Sequence, residues 1–264
     1  MAETLNMAQE LKRKFRSGEK TLGLWISLES PTITEIAAHL GLDWICIDTE
    51  HGQLDFKEVT EHLRAANRAH TTVLVRISEI EQGQIKRVLD LGADGILLPQ
   101  VCSATEVETA VRFAKYPPDG IRGIGAERAT LWGRAILRAR TYNDNTLVIP
   151  LIETKQASEN IEAISAVPGV DAFFFGPADL SASMGYPGMW EGSGVAETIL
   201  ALRQRLSAKG FPCGILATDA ENGRLRSEQG FQMIGLGTDV GLFIRSLTGM
   251  LEGLGRTTNP GTWK

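Results

Sequence analysis

"WICIDTEHGQLDFKEVTEHLRAANRAHTTVLVRI", residues 44–77, contains a complete structural unit. Its two ends, 44–50 and 72–77, are short runs rich in β-branched and apolar residues, the composition of strands. Between them "DFKEVTEHLRAANRAH" (55–70) places Phe56, Val59, Leu63 and Ala66 at helical spacing, and Asp55 stands where a helix N-cap belongs. A strand, a helix and a second strand joined in this way form a parallel pair.

The alternation continues in both directions. Strand-like runs recur as "TLGLWISL" (21–28), "GILLPQV" (95–101), "TLVIPLIET" (146–154), "DAFFFGP" (171–177), "PCGILAT" (212–218) and "QMIGLGTD" (232–239). The segments between them have helical period, as in "SATEVETAVRFAKY" (103–116) with Val107, Ala110, Val111 and Ala114 on one face. Eight strands alternating with helices predict an α/β protein of the (β/α)8, or TIM-barrel, type, and 264 residues suit a single such domain over 1–264. A helix precedes the first strand. The last segment, "GLFIRSLTGMLEGLG" (241–255), is amphipathic through Leu242, Phe243, Leu247, Met250 and Leu251 and is expected to pack on this barrel or on a neighbouring subunit.

Strand parity then sorts the polar residues. If 44–50 is a strand, Ile45 and Ile47 face the helices while Cys46, Asp48 and Glu50 point into the barrel, and His51 starts the loop that follows. Arg76 shares an inward face with Leu74, and Glu153 with Leu147, Ile149 and Leu151. Asp179 lies just past the end of the sixth strand. All of these sit at the C-terminal ends of strands, where barrel enzymes place their chemistry.

Each residue also has a plain structural reading. Asp179 alone would be a helix cap, and Arg76 alone a partner in a salt bridge to Asp48, Glu50 or Asp90. Glu153 and Asp179 together are different, because adjacent strands lie about 4.8 Å apart and two carboxylates at their ends repel unless a cation sits between them. Two carboxylates with open positions suit a hard divalent ion such as Mg2+, Mn2+ or Co2+. His51 is placed for proton transfer with Asp48 or Glu50 to orient its ring, whereas His39, His62 and His70 fall in helical segments and are expected at the surface.

Several classes are disfavoured. A net charge of −5 leaves no basic footprint for nucleic acid or anionic membrane. No signal-like or membrane-length apolar run is present, so a cytoplasmic location is expected. Cys46, Cys102 and Cys213 are far apart among apolar residues and read as reduced core cysteines. "GLGTDVG" (235–241) and "RGIGAER" (122–128) lack the full dinucleotide fingerprint, and Asp239 argues against phosphate at the helix start it opens. Lys155 and Lys209 are poorly placed for a Schiff base. The connection 103–145, with "YPPDGIRGIG" and a second helical stretch "AERATLWGRAILRART" (126–141), is expected to be an elaborated loop on the C-terminal face, covering the site.

"DTEHG", "LVRI", "VLDLGADGILLPQV", "YPPDGIRGIG", "LIETKQASEN" and "GVDAFFFGPADLSASMGYPG", in this order across 20–245, resemble the HpcH/HpaI aldolase family of metal-dependent (class II) pyruvate aldolases. That family includes 4-hydroxy-2-oxoheptanedioate, 2-dehydro-3-deoxyglucarate and 2-keto-3-deoxyrhamnonate aldolases. The resemblance implies a divalent metal at Glu153 and Asp179, His51 with Asp48 as an acid/base dyad, and Arg76 at the pyruvate oxygen. It implies further substrate contacts at Gly176, Pro177, Ala178 and Gln100, with Glu50, Asp90 and Leu151 in support. It also implies a homo-hexamer, a trimer of dimers in which the C-terminal helix docks on a partner barrel. One position departs from the pattern: Leu151 stands where the family usually carries glutamine. The implied reaction is reversible cleavage of a 4-hydroxy-2-oxo acid to pyruvate, or a related acid such as hydroxypyruvate, and an aldehyde through a metal-stabilised enolate. An oxaloacetate-type decarboxylase, an acyl-CoA lyase and a non-catalytic keto-acid-binding barrel are the alternatives.

Overall fold

Each of the eight apolar runs forms a strand: β1 Thr21–Ile26, β2 Trp44–Asp48, β3 Thr72–Arg76, β4 Gly95–Leu98, β5 Leu147–Ile152, β6 Phe173–Phe175, β7 Cys213–Leu216 and β8 Met233–Thr238. The computed structural model describes residues 7–67, 69–190, 192 and 194–258, without the side chains of Arg138 and Arg140. Every strand pairs in parallel with the next, and β8 pairs with β1 to close the barrel. The helices are α1 Met7–Arg16, α2 Pro31–His39, α3 Phe56–Ala66, α4 Gln82–Asp90, α5 Ala104–Ala114, α6 Ala139–Tyr142, α7 Lys155–Glu159, α8 Ile161–Ser165, α9 Pro177–Ser183, α10 Val195–Ala208, α11 Ala220–Glu228 and α12 Asp239–Gly253. Asp55 caps α3 as expected, accepting from the N–H of Lys57 at 2.9 Å, and Glu58 completes the capping box.

Period-2 alternation divides the apolar side chains into two layers. Ile45, Ile47, Val73, Val75, Ile96 and Leu98 pack outward against the helices. Trp44, Cys46, Leu74, Leu97, Leu147, Ile149, Leu151 and Phe174 fill the barrel. The interior admits these rings only because small residues face them. A Cβ on Gly23 would lie 2.0 Å from the Trp44 indole, and one on Gly214 would lie 2.4 Å from the Phe174 ring.

The N-terminal mouth is plugged. Ala8, Leu11 and Phe15 of α1 join the interior cluster, Lys12 pairs with Asp171 at 2.8 Å, Lys14 pairs with Asp43, and Gln232 donates to the Phe15 carbonyl at 3.1 Å. A site must therefore use the other end.

Two readings of the long connection are corrected. Its extension follows α5 and precedes β5, so it lies at the N-terminal face and not over the C-terminal one; Asp144 accepts there from Gln9 and Lys12 of α1, at 2.9 and 2.8 Å. The stretch 126–141 is not a regular helix. Leu131, Trp132 and Gly133 have φ of 50°, 54° and 81°, which interrupt it, and what remains is two 3-10 turns and the single turn of α6. Its apolar residues do not make a buried face: Leu131, Trp132, Ile136 and Leu137 are exposed.

α12 begins firmly and ends alone. Asp239 accepts from the N–H groups of Ser27 and Leu28 and from Val240, filling with its own carboxylate the place an anion would take. Beyond that anchor Leu242, Phe243, Ile244, Leu247, Met250 and Leu254 are exposed. No described helix is long and apolar enough to cross a membrane. His39 and His70 are exposed, but His62 is fully buried on the inner face of α3, with Nδ1 2.7 Å from the Thr34 hydroxyl. Cys46 and Cys213 are core residues, whereas Cys102 is only partly buried.

Candidate active site

Asp48 and Arg76 end neighbouring strands in register, so both point up the barrel axis at the same height. They make a buried bidentate pair: Arg76 donates from Nε to Asp48 Oδ1 at 2.9 Å and from Nη2 to Oδ2 at 2.6 Å. Nη1 lies 2.7 Å from Glu50 Oε2, but the approach lacks hydrogen-bond geometry and leaves that buried oxygen without a donor. The guanidinium lies over the Trp25 ring, 4.6 Å from its centroid. Trp25 was hidden inside an ordinary strand pattern, and only its inward parity could have drawn attention to it.

The turn after β2 orients the remainder of "DTEHG". Asp48 Oδ1 also accepts from the backbone N–H groups of Glu50 and His51, at 3.1 and 3.3 Å. These contacts and Arg76 occupy the Asp48 carboxylate, so no Asp48–His51 side-chain pair forms. The imidazole stands at the rim, its side chain 67% exposed, with Nε2 4.0 Å from Glu50 Oε2. Glu50 is thus the carboxylate nearest the ring. Burial holds the Glu50 pKa above the usual carboxylate value, opposed by Arg76 and His51 and assisted by Asp48 and Asp179.

The opposite wall is Glu153, at the end of β5 and 1% exposed. Its Oε1 accepts from the backbone N–H of Gln100 at 2.6 Å. Its pKa is raised to about 7, chiefly by burial; the Gln100 N–H and Arg76 oppose the rise, and the charges of Glu50 and Asp179 contribute to it. Asp179 is partly buried in the first turn of α9; Gly176, not Asp179, is the cap of that helix. Glu50, Glu153 and Asp179 thus lie near enough to repel one another, and Arg76, which opposes that repulsion at Glu50 and Glu153, is already paired with Asp48. An all-oxygen, mutually repelling set of this kind has the chemistry that a hard divalent ion requires. Among the described residues no three of His, Cys, Asp and Glu are grouped so that they could hold a metal ion.

The remaining candidates fall into three groups. Gly176, Pro177 and Ala178 lead into Asp179, and the N–H groups of Ala178 and Asp179 are first-turn donors with no partner inside the helix. Leu151, 2% exposed, sits one inward position below Glu153 and presents only methyl groups. Asp90 does not belong with the others. It ends α4, which runs back toward the N-terminal face, and there it pairs at 2.6 Å with the buried Arg122, held near the rings of Tyr116 and Tyr142.

A pH dependence follows from Glu153. Its folded-state pKa is raised, so the metal-free protein is most favoured where Glu153 is protonated in both states. It loses stability as pH rises from about 4.5 toward 7, by roughly 3 kcal/mol for a shift of this size. Glu153→Gln should flatten this loss in chelator-treated protein, as read by urea melts between pH 5 and pH 8; an unchanged slope would assign it to another group.

A profile of the HpcH/HpaI aldolase/citrate lyase family matches residues 21–246. A hydroxypyruvate/pyruvate aldolase of Sagittula stellata is 39% identical over 229 residues, 86% of this chain and 90% of the relative. A 2-keto-3-deoxy-L-rhamnonate aldolase of Salmonella gallinarum is 34% identical over 247 residues, 93% of this chain and 92% of the relative. The crystal structure of an HpcH/HpaI aldolase/citrate lyase family protein from Burkholderia cenocepacia superposes with a TM-score of 0.87 at 34% identity, covering 93% of this chain and 98% of the other.

Proposed function

The chain belongs to the HpcH/HpaI aldolase/citrate lyase family, and from that premise we propose that it is a lyase, a pyruvate aldolase. It cleaves 4-hydroxy-2-oxo acids reversibly to pyruvate or hydroxypyruvate and an aldehyde, with a divalent cation such as Mg2+, Mn2+ or Co2+. The observation that carries this reading is Arg76, paired with Asp48 and 2.7 Å from Glu50 at the barrel end that also holds the buried Glu153, in a chain whose relatives are named as aldolases.

The reaction needs negative charge to build on an oxygen next to a carbon losing a proton. A divalent cation at Glu153 and Asp179 would polarise the keto and carboxylate oxygens of a 2-keto acid. The residues of the chain do the rest. Arg76, held in place by the Asp48 pair and the Trp25 ring, would offer the enolate oxygen Nη1, the nitrogen not given to Asp48, which without substrate lies 2.7 Å from Glu50 Oε2. The first-turn N–H groups of Ala178 and Asp179 receive the substrate carboxylate, with Gly176 and Pro177 setting their approach. His51, at the rim with solvent access, takes the proton from the methyl carbon of pyruvate in the condensation direction. In cleavage it takes the hydroxyl proton of the 4-hydroxy-2-keto acid. Glu50, not Asp48, is the carboxylate placed to orient it. Leu151 makes the wall beside Glu153 apolar.

Proton NMR of pyruvate in D2O, with the protein and Mg2+, Mn2+ or Co2+, tests the reading. The methyl signal is expected to decay with metal and to persist with chelator; persistence with every metal would sink it. A homo-hexamer is part of the same reading, supported by the exposed apolar face of α12, and a sedimentation mass near one chain would overturn that part.

A further inference from the structure

We propose that Gln100 is a positioning residue whose left-handed backbone, and not its side chain, aims the Glu153 carboxylate. The proposal rests on the reading of Glu153 as a metal carboxylate, but it concerns how this chain holds that group.

Among the described residues only Gln100, Leu131 and Trp132 have positive φ without being glycine, and the last two lie in the exposed connection before β5. Gln100, at φ 50°, follows Pro99 in the turn that leaves β4, a position where positive φ ordinarily falls to glycine or asparagine. Its consequence is local. The backbone N–H points at Glu153 Oε1 at 2.6 Å, and among the described residues this is the only hydrogen bond to the Glu153 side chain. An L residue relaxed to an extended or right-handed conformation would turn that N–H away.

The strained turn is also braced against the turn that carries Glu153. The Thr154 hydroxyl donates to the Val101 carbonyl at 3.1 Å, and Asn160 Nδ2 donates to the Cys102 carbonyl at 2.8 Å. On the α5 side Cys102 N donates to Glu106 Oε2 at 2.7 Å. The ends of β4 and β5 are thus tied by these bonds and by Cys102 Sγ, 3.7 Å from Thr154 Oγ1, and the Gln100 N–H is the link that reaches the carboxylate.

The side chain of Gln100 goes elsewhere. It is exposed and lines a cavity of about 420 Å3 with Ser78, Glu79, Thr105 and Thr109, and none of Asp48, Glu50, Arg76, Glu153 or Asp179 lines that cavity. Gln100, which the resemblance implies as a substrate contact, thus reaches the Glu153 wall through its backbone N–H.

Three substitutions separate backbone from side chain. Gln100→Gly and Gln100→Asn remove or shorten the side chain and keep a residue at ease in the left-handed region, whereas Gln100→Val keeps bulk but resists that region. Titration with Mn2+ alone, followed by electron paramagnetic resonance, should give the glycine and asparagine variants affinities within about threefold of the parent, and the valine variant one on the order of tenfold weaker or more. Amide hydrogen exchange at position 100 in metal-free protein should be slow in the parent and the asparagine variant and fast in the valine variant. Equal weakening in the glycine and valine variants would return the role to the side chain and overturn the proposal. So would unweakened Mn2+ binding in the valine variant, or fast exchange at position 100 in the parent. A parent that binds no Mn2+ yet protects this amide, with protection lost in the valine variant, would support the positioning role and overturn the metal reading alone.

Discussion

Gly176→Ala is expected to abolish pyruvate methyl exchange, lowering it by at least ~100-fold, in a chain that still folds. The reason is spatial. A Cβ at position 176 would stand 2.6 Å from Glu153 Oε2 and 2.8 Å from Glu153 Cβ. The first contact could be relieved by swinging the carboxylate away, which removes it from the metal position. The second cannot, because Glu153 Cβ is fixed at the end of β5, so the exits of β5 and β6 must also part. Overpacking of this kind costs about 1–3 kcal/mol, which a barrel with a continuous outer core can bear. The measurements are methyl exchange, Mn2+ affinity and a thermal melt on the same preparation. Wild-type affinity in the alanine variant would mean that the carboxylate is not held where the structure has it.

His51→Ala should have a comparable effect on exchange by a different route. Loss of a positioned general base lowers the rate by about 10^2 to 10^4-fold. Stability and Mn2+ affinity should not change, because the ring is mostly exposed and 4.0 Å from its nearest carboxylate. The hydrogen bond from its backbone N–H to Asp48 survives in alanine. If His51→Ala loses metal affinity as completely as Glu153→Ala, the division between a proton-handling rim and a metal-holding wall is wrong.

Much of the site is legible from one rule. Parity along β2, β3 and β5 points Asp48, Glu50, Arg76 and Glu153 inward and Ile45, Ile47, Val73 and Val75 outward; the structure keeps the apolar division and sets Asp48 beside Arg76, while Glu50 and Glu153 lie just past the ends of their strands. The position of the long connection was legible too. Any segment between a helix and the next strand of a parallel barrel lies at the N-terminal face, and the expectation of a cover over the site passed over the chain order of α5 and β5. His62 shows where local pattern falls short, since a polar residue one position from Leu63 on α3 reads as surface until Thr34 of another helix is seen to meet it.

The barrel, its two apolar layers and the facing of its strand side chains follow from periods of 2 and 3.6 that each segment carries alone. Which side chains pair is set by the assembled barrel. Asp48 could have oriented His51, but strand register sets Arg76 directly beside it and the guanidinium takes both carboxylate oxygens, leaving the imidazole to Glu50. Gln100 and Gly176 matter to Glu153 through a backbone N–H and a missing Cβ, and neither carries a side-chain signal. Such choices rest on distances between strands brought together by closure of the barrel, and no window of the chain contains both partners.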